Sequence, residues 1–265
     1  IVIPPKSTAA APPVVATPAA PASPAPTPVE PAKPAAAPSA PTPATVPTPP
    51  KTKPHVAALP DHLKTLDGAR QVVVVTAANK DSRDGTLALY DLDSNGNWIK
   101  RMSTPTRAGK NALVSGADRH QGSSMTPTGS WAMPSWAFGA ASSPPAGAKV
   151  GWKQIVSSSY WSSEPGSTYN TWVNHESAGE HLIKYAGQSY KYAINSGYNS
   201  LPNTRIEGRG TAIFIHCMHA GYTAGCISIE ESKMVELLKK LVPAKRPRCV
   251  IGTTDSGTST SISKY

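Results

Sequence analysis

The chain has 265 residues, 28 prolines and a formal net charge of +10. A basic chain suits an anionic partner, which can be a nucleic acid, an acidic cell-wall polymer or a membrane face. The sequence has no zinc-finger spacing and no basic strip interleaved with aromatic residues, and no segment reaches the ~20 consecutive apolar residues of a membrane span. We therefore expect no nucleic-acid partner and no transmembrane segment, and an anionic cell-wall polymer is the favoured partner class.

Residues 1–54 hold 18 of the 28 prolines and no Phe, Trp or Tyr. Such a composition cannot build a hydrophobic core and favours extended polyproline II structure. We predict a disordered Pro/Ala-rich spacer over residues 1–54. Because the chain begins at Ile1, we expect a processed or trimmed form that a signal peptide or lipid anchor can precede. A spacer of this kind favours a place outside the cytoplasm, in the cell wall or periplasm.

Residues 55–252 are expected to form one globular domain. β-Branched and aromatic runs bounded by turn residues predict short strands, of which the first three form a meander. The predicted strands are 71–76, 85–91, 98–102, 129–133, 181–185, 190–195, 212–217 and 248–252. Many short strands with one late helix predict a mainly β fold, of the sandwich or barrel-like kind.

Two further segments carry little periodicity. Residues 137–171 are predicted as a long loop whose aromatic side chains are expected to pack in the core or to form a cleft wall. Residues 253–265 are rich in Ser and Thr and are predicted as a flexible tail.

One helix is predicted in the C-terminal half, beginning at Ser228 and ending before Pro243. Ser228 and Glu231 have the spacing of a capping box. Apolar residues then recur with helical spacing at Met234, Leu237, Leu238 and Leu241. Cys226 is thereby placed just ahead of the predicted helix, where the positive end of the helix dipole would stabilise a thiolate.

The segment that carries the chemistry is TAIFIHCMHAGYTAGCISI, residues 211–229. An apolar run ends in His216, and a Gly-Cys pair follows with Cys226. A thiolate is the attacking form of cysteine, and a nearby histidine can serve as its base. Since a lone cysteine is usually a packing residue, the prediction of a catalytic pair rests on both residues together.

The cysteines number three, and their pairing stays open on sequence grounds. In an oxidising compartment Cys217 and Cys249 can form a bridge that leaves Cys226 free, whereas in a reducing one all three are thiols. Cys217, His219 and Cys226 are also potential metal ligands. Because a structural zinc site needs four ligands in paired spacings, we expect neither a metal nor a cofactor.

With these residues in view, the segment GRGTAIFIHCMHAGYTAGCISI, the following helix and RCVIG resemble the YkuD-like L,D-transpeptidases. The signature of that family is a histidine on a strand followed by Ser/Thr-x-Gly-Cys, and QVVVVTA and TPTG upstream are also similar to it. The resemblance implies that Cys226 attacks a peptidoglycan stem peptide, with His216 held by a backbone carbonyl near residues 218–221. It also implies an oxyanion site shaped by Thr223, Ala224 and Gly225.

The product expected from the resemblance is a 3-3 crosslink made through a thioester. Two alternatives remain at this point, an L,D-carboxypeptidase that uses the same site and a noncatalytic wall-binding module. The chain departs from the family pattern in a shorter interval between His216 and Cys226, in Ala224 where a second histidine is common, and in Ser228 where Asn or Arg is common.

Four more residues are candidates for contact with the substrate. Arg209 can hold a carboxylate through two hydrogen bonds, although a charge on a solvated turn explains it equally well. Tyr198 and Asn199 are weaker candidates of the same kind. His219 is expected to be a loop residue that lines the site.

Overall fold

The computed structural model of this protein describes residues 57–265. The predicted spacer, residues 1–54, lies outside the described residues, and so do the first two residues of the predicted domain. Within residues 57–265 no helix is long and apolar enough to cross a membrane.

The described residues form a mainly β fold with one α-helix in the C-terminal half, which confirms the predicted class. The first seven strands are β1 (Gln71–Ala77), β2 (Asp84–Leu92), β3 (Trp98–Arg107), β4 (Leu113–Ser115), β5 (Thr126–Ala132), β6 (Trp136–Gly139) and β7 (Gly151–Gln154). The others are β8 (Tyr160–Ser162), β9 (Trp172–Val173), β10 (Gly179–His181), β11 (Tyr192–Asn195), β12 (Phe214–Cys217), β13 (Ile227–Ile229) and β14 (Arg248–Thr253), and the helix is α1 (Glu231–Lys240).

The strands are arranged in two sheets. The large sheet is eleven-stranded and mixed, in the order β4-β5-β14-β1-β2-β3-β13-β12-β11-β6-β7, and the small one has the order β10-β8-β9. The predicted meander is present, because β1 pairs with β2 and β2 with β3, both antiparallel. β12 and β13 lie side by side and parallel near the middle of the large sheet.

Helix α1 covers part of the large sheet with the apolar face that the sequence predicts. Met234, Leu237 and Leu238 are fully buried, and they belong to the same cluster as the inward residues of β1 and β2. The predicted cap is wrong, because Glu230 caps the helix by accepting the N–H of Ser232. Ser228 is instead a buried residue of β13, paired with β12. Strand β13 cannot be recognised from the sequence, because its three residues are too few to show the alternation of a strand.

Two other expectations about secondary structure are wrong. The segment 181–185 is the end of β10 followed by a 3-10 helix, Leu182–Tyr185, and it is not a strand. The segment 137–171 contains most of β6 and all of β7 and β8. Pairing with segments that are distant in sequence stabilises these strands, and β6, for example, pairs with β11.

The C-terminal segment is not a loose tail. Thr260, Ser261 and Ile262 are buried, and the carbonyl oxygen of Tyr265 accepts the N–H groups of Lys64 and Thr65 at 2.5 Å each. The segment is held because its few apolar side chains pack on the outer face of β1 and β14 together with Val72 and Val250.

All three cysteines are free thiols in the structure. The bridge between Cys217 and Cys249 is absent because the two residues lie on β12 and β14, which have four strands between them in the sheet. Neighbouring strands are about 4.8 Å apart, so this separation along the sheet exceeds the reach of a disulfide.

Candidate active site

The register of β12 and β13 brings the two predicted catalytic residues together. His216 is paired with Ser228 and Ile215 with Ile227, so Cys226 lies one step earlier, beside Phe214. Side chains alternate along a strand, which places Phe214 and His216 on one face. The side chains of His216, Cys226 and Ser228 line a single cavity of about 390 Å³.

The thiol of Cys226 is held by the backbone of the segment that leads into β12. Its Sγ lies 3.2 Å from the carbonyl oxygen of Ala212, to which it donates, and 3.4 Å from the amide nitrogen of Phe214, from which it accepts. One weak hydrogen bond that the thiol donates and one that its sulfur accepts together fix the position of the sulfur. The sulfur of Cys226 is therefore held beside the backbone of residues 212–214.

The imidazole of His216 is fixed in one tautomer. Its Nδ1 lies 2.9 Å from the carbonyl oxygen of Cys217. Since a carbonyl oxygen only accepts, we assign the ring proton to Nδ1, which leaves the lone pair on Nε2. The expected support by a backbone carbonyl is thus present, but the carbonyl belongs to Cys217 and not to residues 218–221. With its lone pair on Nε2, the ring is prepared to accept a proton.

Burial favours the neutral form of both His216 and Cys226. Burial lowers the pKa of His216 to about 4 and raises the pKa of Cys226 to about 12. The expected stabilisation of a thiolate by a helix N-terminus fails, because β13 separates Cys226 from the start of α1. Burial of both side chains therefore disfavours a preformed ion pair of thiolate and imidazolium.

The turn before Cys226 is held by hydrogen bonds from threonines. Thr223 Oγ1 donates to the carbonyl oxygen of Cys226 at 2.6 Å and accepts the N–H of Gly225 at 3.1 Å. Thr126 Oγ1 donates to the carbonyl oxygen of Gly225 at 2.9 Å. The Gly225 amide is thus engaged within the turn.

Gly225 is required by its backbone. Its φ is +130°, and a Cβ at this position would lie 2.8 Å from the carbonyl oxygen of Met125. Any other residue would be strained here and would push the turn away from the floor of the cavity.

Arg119 is a residue of the site that the sequence did not indicate. Its side chain is buried, with Nε donating to the carbonyl oxygen of Met125 at 2.9 Å and Nη1 to that of Arg209 at 2.8 Å. Its Nη2 faces Gly225, 3.1 Å from where a Cβ would stand. The guanidinium lines the cavity, and its positive charge lowers the pKa of Cys226 against the larger effect of burial.

The predicted substrate contacts divide into two groups. His219 is exposed and lines the cavity of Cys226, as expected of a loop residue at the site. Arg209, Tyr198 and Asn199 line a different cavity of about 260 Å³. Tyr198 donates to the carbonyl oxygen of Arg209 at 3.0 Å. These three residues hold the loop that supports Arg119, and the structure does not place them beside Cys226.

Two more residues of the cavity were not predicted. The hydroxyl of Tyr190 donates to Glu180 Oε1 at 2.5 Å, and the Tyr190 ring meets the His216 ring edge to face, with centroids 5.5 Å apart. Both residues line the cavity. Residue spacing carries no signal for them, because pairing of β10 with β8 brings Glu180 to the site.

One polar atom of the cavity wall is left without a partner. The Ser228 hydroxyl is buried and has no hydrogen bond within residues 57–265. Buried polar groups are nearly always bonded. Within residues 57–265 the Ser228 hydroxyl is therefore an exception to this rule.

Comparisons of the chain with protein-family models, with curated proteins and with solved structures find no match. Within residues 57–265 no three His, Cys, Asp or Glu side chains are grouped as a metal site requires.

Proposed function

We propose that this protein is a cysteine-dependent acyl transferase, an L,D-transpeptidase that acts on peptidoglycan stem peptides. One observation carries the proposal. Cys226 and His216 line the same cavity, and the contact of Nδ1 with the Cys217 carbonyl leaves the basic nitrogen of His216 unprotonated. The choice of a stem peptide rests on the resemblance of residues 211–229 to the family motif.

The first half of the reaction forms a thioester. Nε2 of His216 takes the proton of the Cys226 thiol as Sγ attacks the carbonyl carbon of the third stem residue. The oxyanion accepts hydrogen bonds from the backbone N–H groups of Ala224 and Cys226, each worth about 3 kcal/mol in related sites. The carbon–nitrogen bond then breaks, and the imidazolium gives its proton to the nitrogen of the departing D-alanine.

The second half transfers the acyl group. An amine of a neighbouring stem loses a proton to Nε2 and attacks the thioester carbon, and Sγ leaves and regains its proton. The product is a 3-3 crosslink. Water in place of the amine gives an L,D-carboxypeptidase. Because the substrate is a wall polymer, the proposal includes an extracytoplasmic location, where the net positive charge of the chain suits contact with anionic wall polymers.

Acylation by a carbapenem tests the proposal, because members of the resembled family form thioester adducts with such agents. We expect the intact mass of the protein to increase by one carbapenem. The adduct should be lost in Cys226→Ala and kept in Cys249→Ala, which removes a thiol of the core far from the cavity. An unmodified wild-type protein, or an adduct that persists without Cys226, would contradict catalysis and favour a noncatalytic wall-binding module.

A further inference from the structure

A second cavity lies around Arg209 and is separate from the cavity of Cys226. Its volume is about 260 Å³, and none of residues 57–265 lines both cavities. Among the described residues that line this Arg209 cavity, Arg209 is the only one with a charged side chain. The reaction proposed above makes no use of the Arg209 cavity.

The guanidinium of Arg209 has no counter-charge in the described part of the chain. The ion pairs among residues 57–265 all involve other basic residues. The backbone of Arg209 is held, because its carbonyl oxygen accepts the Tyr198 hydroxyl at 3.0 Å and Arg119 Nη1 at 2.8 Å. Arg209 is half-buried, so its unpaired charge costs more than on an open surface, and a bound anion would offset that cost.

The rest of the cavity wall is neutral, and its polar side chains bond to one another or to the backbone. Thr128 Oγ1 and Tyr265 Oη are hydrogen-bonded at 3.0 Å. Asn199 Nδ2 donates to the carbonyl oxygen of Ile206 at 3.0 Å, and Asn199 Oδ1 accepts the N–H of Ile206 at 2.6 Å. These bonds stabilise the wall, so Arg209 is the group that sets the charge of a ligand.

An aromatic surface completes the Arg209 cavity. The Trp131 indole lies against Gly116 and Gly129, where a Cβ would stand 3.0 Å and 2.3 Å from Trp131 Cζ2. The Trp131 ring meets the Tyr198 ring edge to face, with centroids 5.1 Å apart. All four residues line the cavity. A ligand of this cavity should therefore combine one negative charge with apolar atoms that pack on a ring.

The volume of the cavity limits the size of the ligand. Pockets for drug-sized molecules have volumes of about 300–1,000 Å³, and the Arg209 cavity is smaller. It therefore suits the end of a chain better than a whole molecule. A carboxylate matches the planar fork of a guanidinium through two parallel hydrogen bonds, and its single charge matches the single cation. The C-terminus of a peptide supplies such a carboxylate at a chain end.

We propose that the Arg209 cavity is a noncatalytic binding site for the C-terminal carboxylate of a peptide. The guanidinium binds both carboxylate oxygens, and the Trp131 ring packs on the apolar atoms beside them. Arg119 lies between the two cavities, since it lines the cavity of Cys226 and its Cζ is 5.5 Å from the centroid of the Tyr198 ring. A peptide at Arg209 leaves the cavity of Cys226 open, so a polymer with several peptide ends can occupy both sites at once.

A titration followed by nuclear magnetic resonance tests this site. The full-length Cys226→Ala protein, labelled with ¹⁵N, is titrated with acetyl-glycylglycine and with its C-terminal amide, whose ends are achiral. The indole N–H signal of Trp131, assigned with Trp131→Phe, reports occupancy of the cavity. We expect saturable shifts of this signal and a dissociation constant at least about tenfold lower for the carboxylate than for the amide, as charge-assisted hydrogen bonds allow.

Three variants assign the preference to Arg209. Arg209→Gln should reduce the ratio of the two dissociation constants to about one, and Arg209→Lys, which keeps the charge without the fork, should give an intermediate ratio. Arg70→Gln removes an exposed arginine outside the cavity wall and should leave the ratio unchanged. The indole signals of the other tryptophans show whether each variant is folded. If Arg209→Gln does not fold, the Arg209→Lys ratio decides, and a value equal to that of the parent protein contradicts the proposal.

Other outcomes overturn the proposal directly. Equal binding of acid and amide, a preference that survives Arg209→Gln, or shifts at the cavity of Cys226 with the Trp131 signal unmoved would each refute the site. Tighter binding of glucuronate than of acetyl-glycylglycine would overturn the assignment to a peptide end. Because the protein lacks the Cys226 thiol, the result does not depend on whether Cys226 is a nucleophile, so failure of the proposed transferase leaves this test intact.

Discussion

Replacing Glu180 by Gln should make the protein more stable at neutral pH, because the buried carboxyl is costly to ionise. Burial raises the pKa of Glu180 from 4.5 to about 7 in the folded state, against the lowering effect of the Tyr190 hydrogen bond. The folded state therefore holds this proton more tightly than the unfolded state between these two values. Stability falls as the pH rises through this window, and the loss is complete above about pH 7.

The size of the effect follows from the shift. At about 1.4 kcal/mol per pKa unit, the charged Glu180 costs up to about 3 kcal/mol above pH 7. Gln has the same shape, carries no charge and can still accept the Tyr190 hydroxyl. We therefore expect Glu180→Gln to raise the free energy of unfolding by about 1–3 kcal/mol at pH 8 and to change it little at pH 4.

The assay is urea unfolding of wild type, Glu180→Gln and Glu176→Gln at pH 4 and pH 8. His216 titrates in the opposite sense, because its pKa falls from 6.5 to about 4 on folding, so its contribution to stability rises with pH. The difference between wild type and Glu180→Gln cancels this effect, since both proteins keep His216. A Glu180→Gln protein less stable than wild type at pH 8, or one with an unchanged dependence on pH, would show that the charged carboxylate does not destabilise the folded state.

Three further predictions concern the nucleophile and its turn. His216→Ala should lower the rate of peptide acylation by about 10²–10⁴-fold. In the wild-type protein, the single-turnover rate should fall as the pH drops through about 4, because His216 gains a proton there. A rate that already falls at pH 6.5 would contradict a buried neutral base. Gly225→Ala should lower the free energy of unfolding in urea by about 1–3 kcal/mol, because φ is +130° and the carbonyl oxygen of Met125 blocks the new Cβ. An unchanged midpoint of urea unfolding would show that the turn relaxes freely. Thr223→Val removes two hydrogen bonds of the turn before Cys226. Acylation measured by intact mass should therefore slow more than tenfold, and the free energy of unfolding should fall by about 1–2 kcal/mol. A normal rate of acylation would exclude a positioning role for Thr223.

The sequence predicted the local parts of the fold and the two residues, His216 and Cys226, that line one cavity. The apolar run before His216 and the following turn predict a strand with a histidine at its end, and β12 confirms it. Helix α1 was predicted from its apolar period, since Met234, Leu237 and Leu238 share one face. In both cases the signal lies within about ten residues, where periodicity is informative.

Long-range pairing determined what the sequence did not indicate. Ser228 fits a capping box by spacing, but pairing with His216 makes it part of a strand. Arg119 is held at the site by hydrogen bonds to residues that are distant in sequence, such as Arg209. Glu180 reaches it through β10 and β8, which have no period of their own. Side chains that meet only by sheet topology leave no pattern in a single sequence.

The central claim is that Cys226 forms a thioester with a stem peptide. A tetrapeptide stem incubated with wild-type protein, quenched in acid within the first turnover and examined by intact and peptide mass spectrometry, tests this claim most directly. We predict an added mass equal to the stem without its terminal D-alanine, located on the peptide that contains Cys226, together with free D-alanine. Absence of this adduct in wild type under conditions in which the stem binds, or its location on Cys217 or Cys249, would contradict the assignment of the nucleophile.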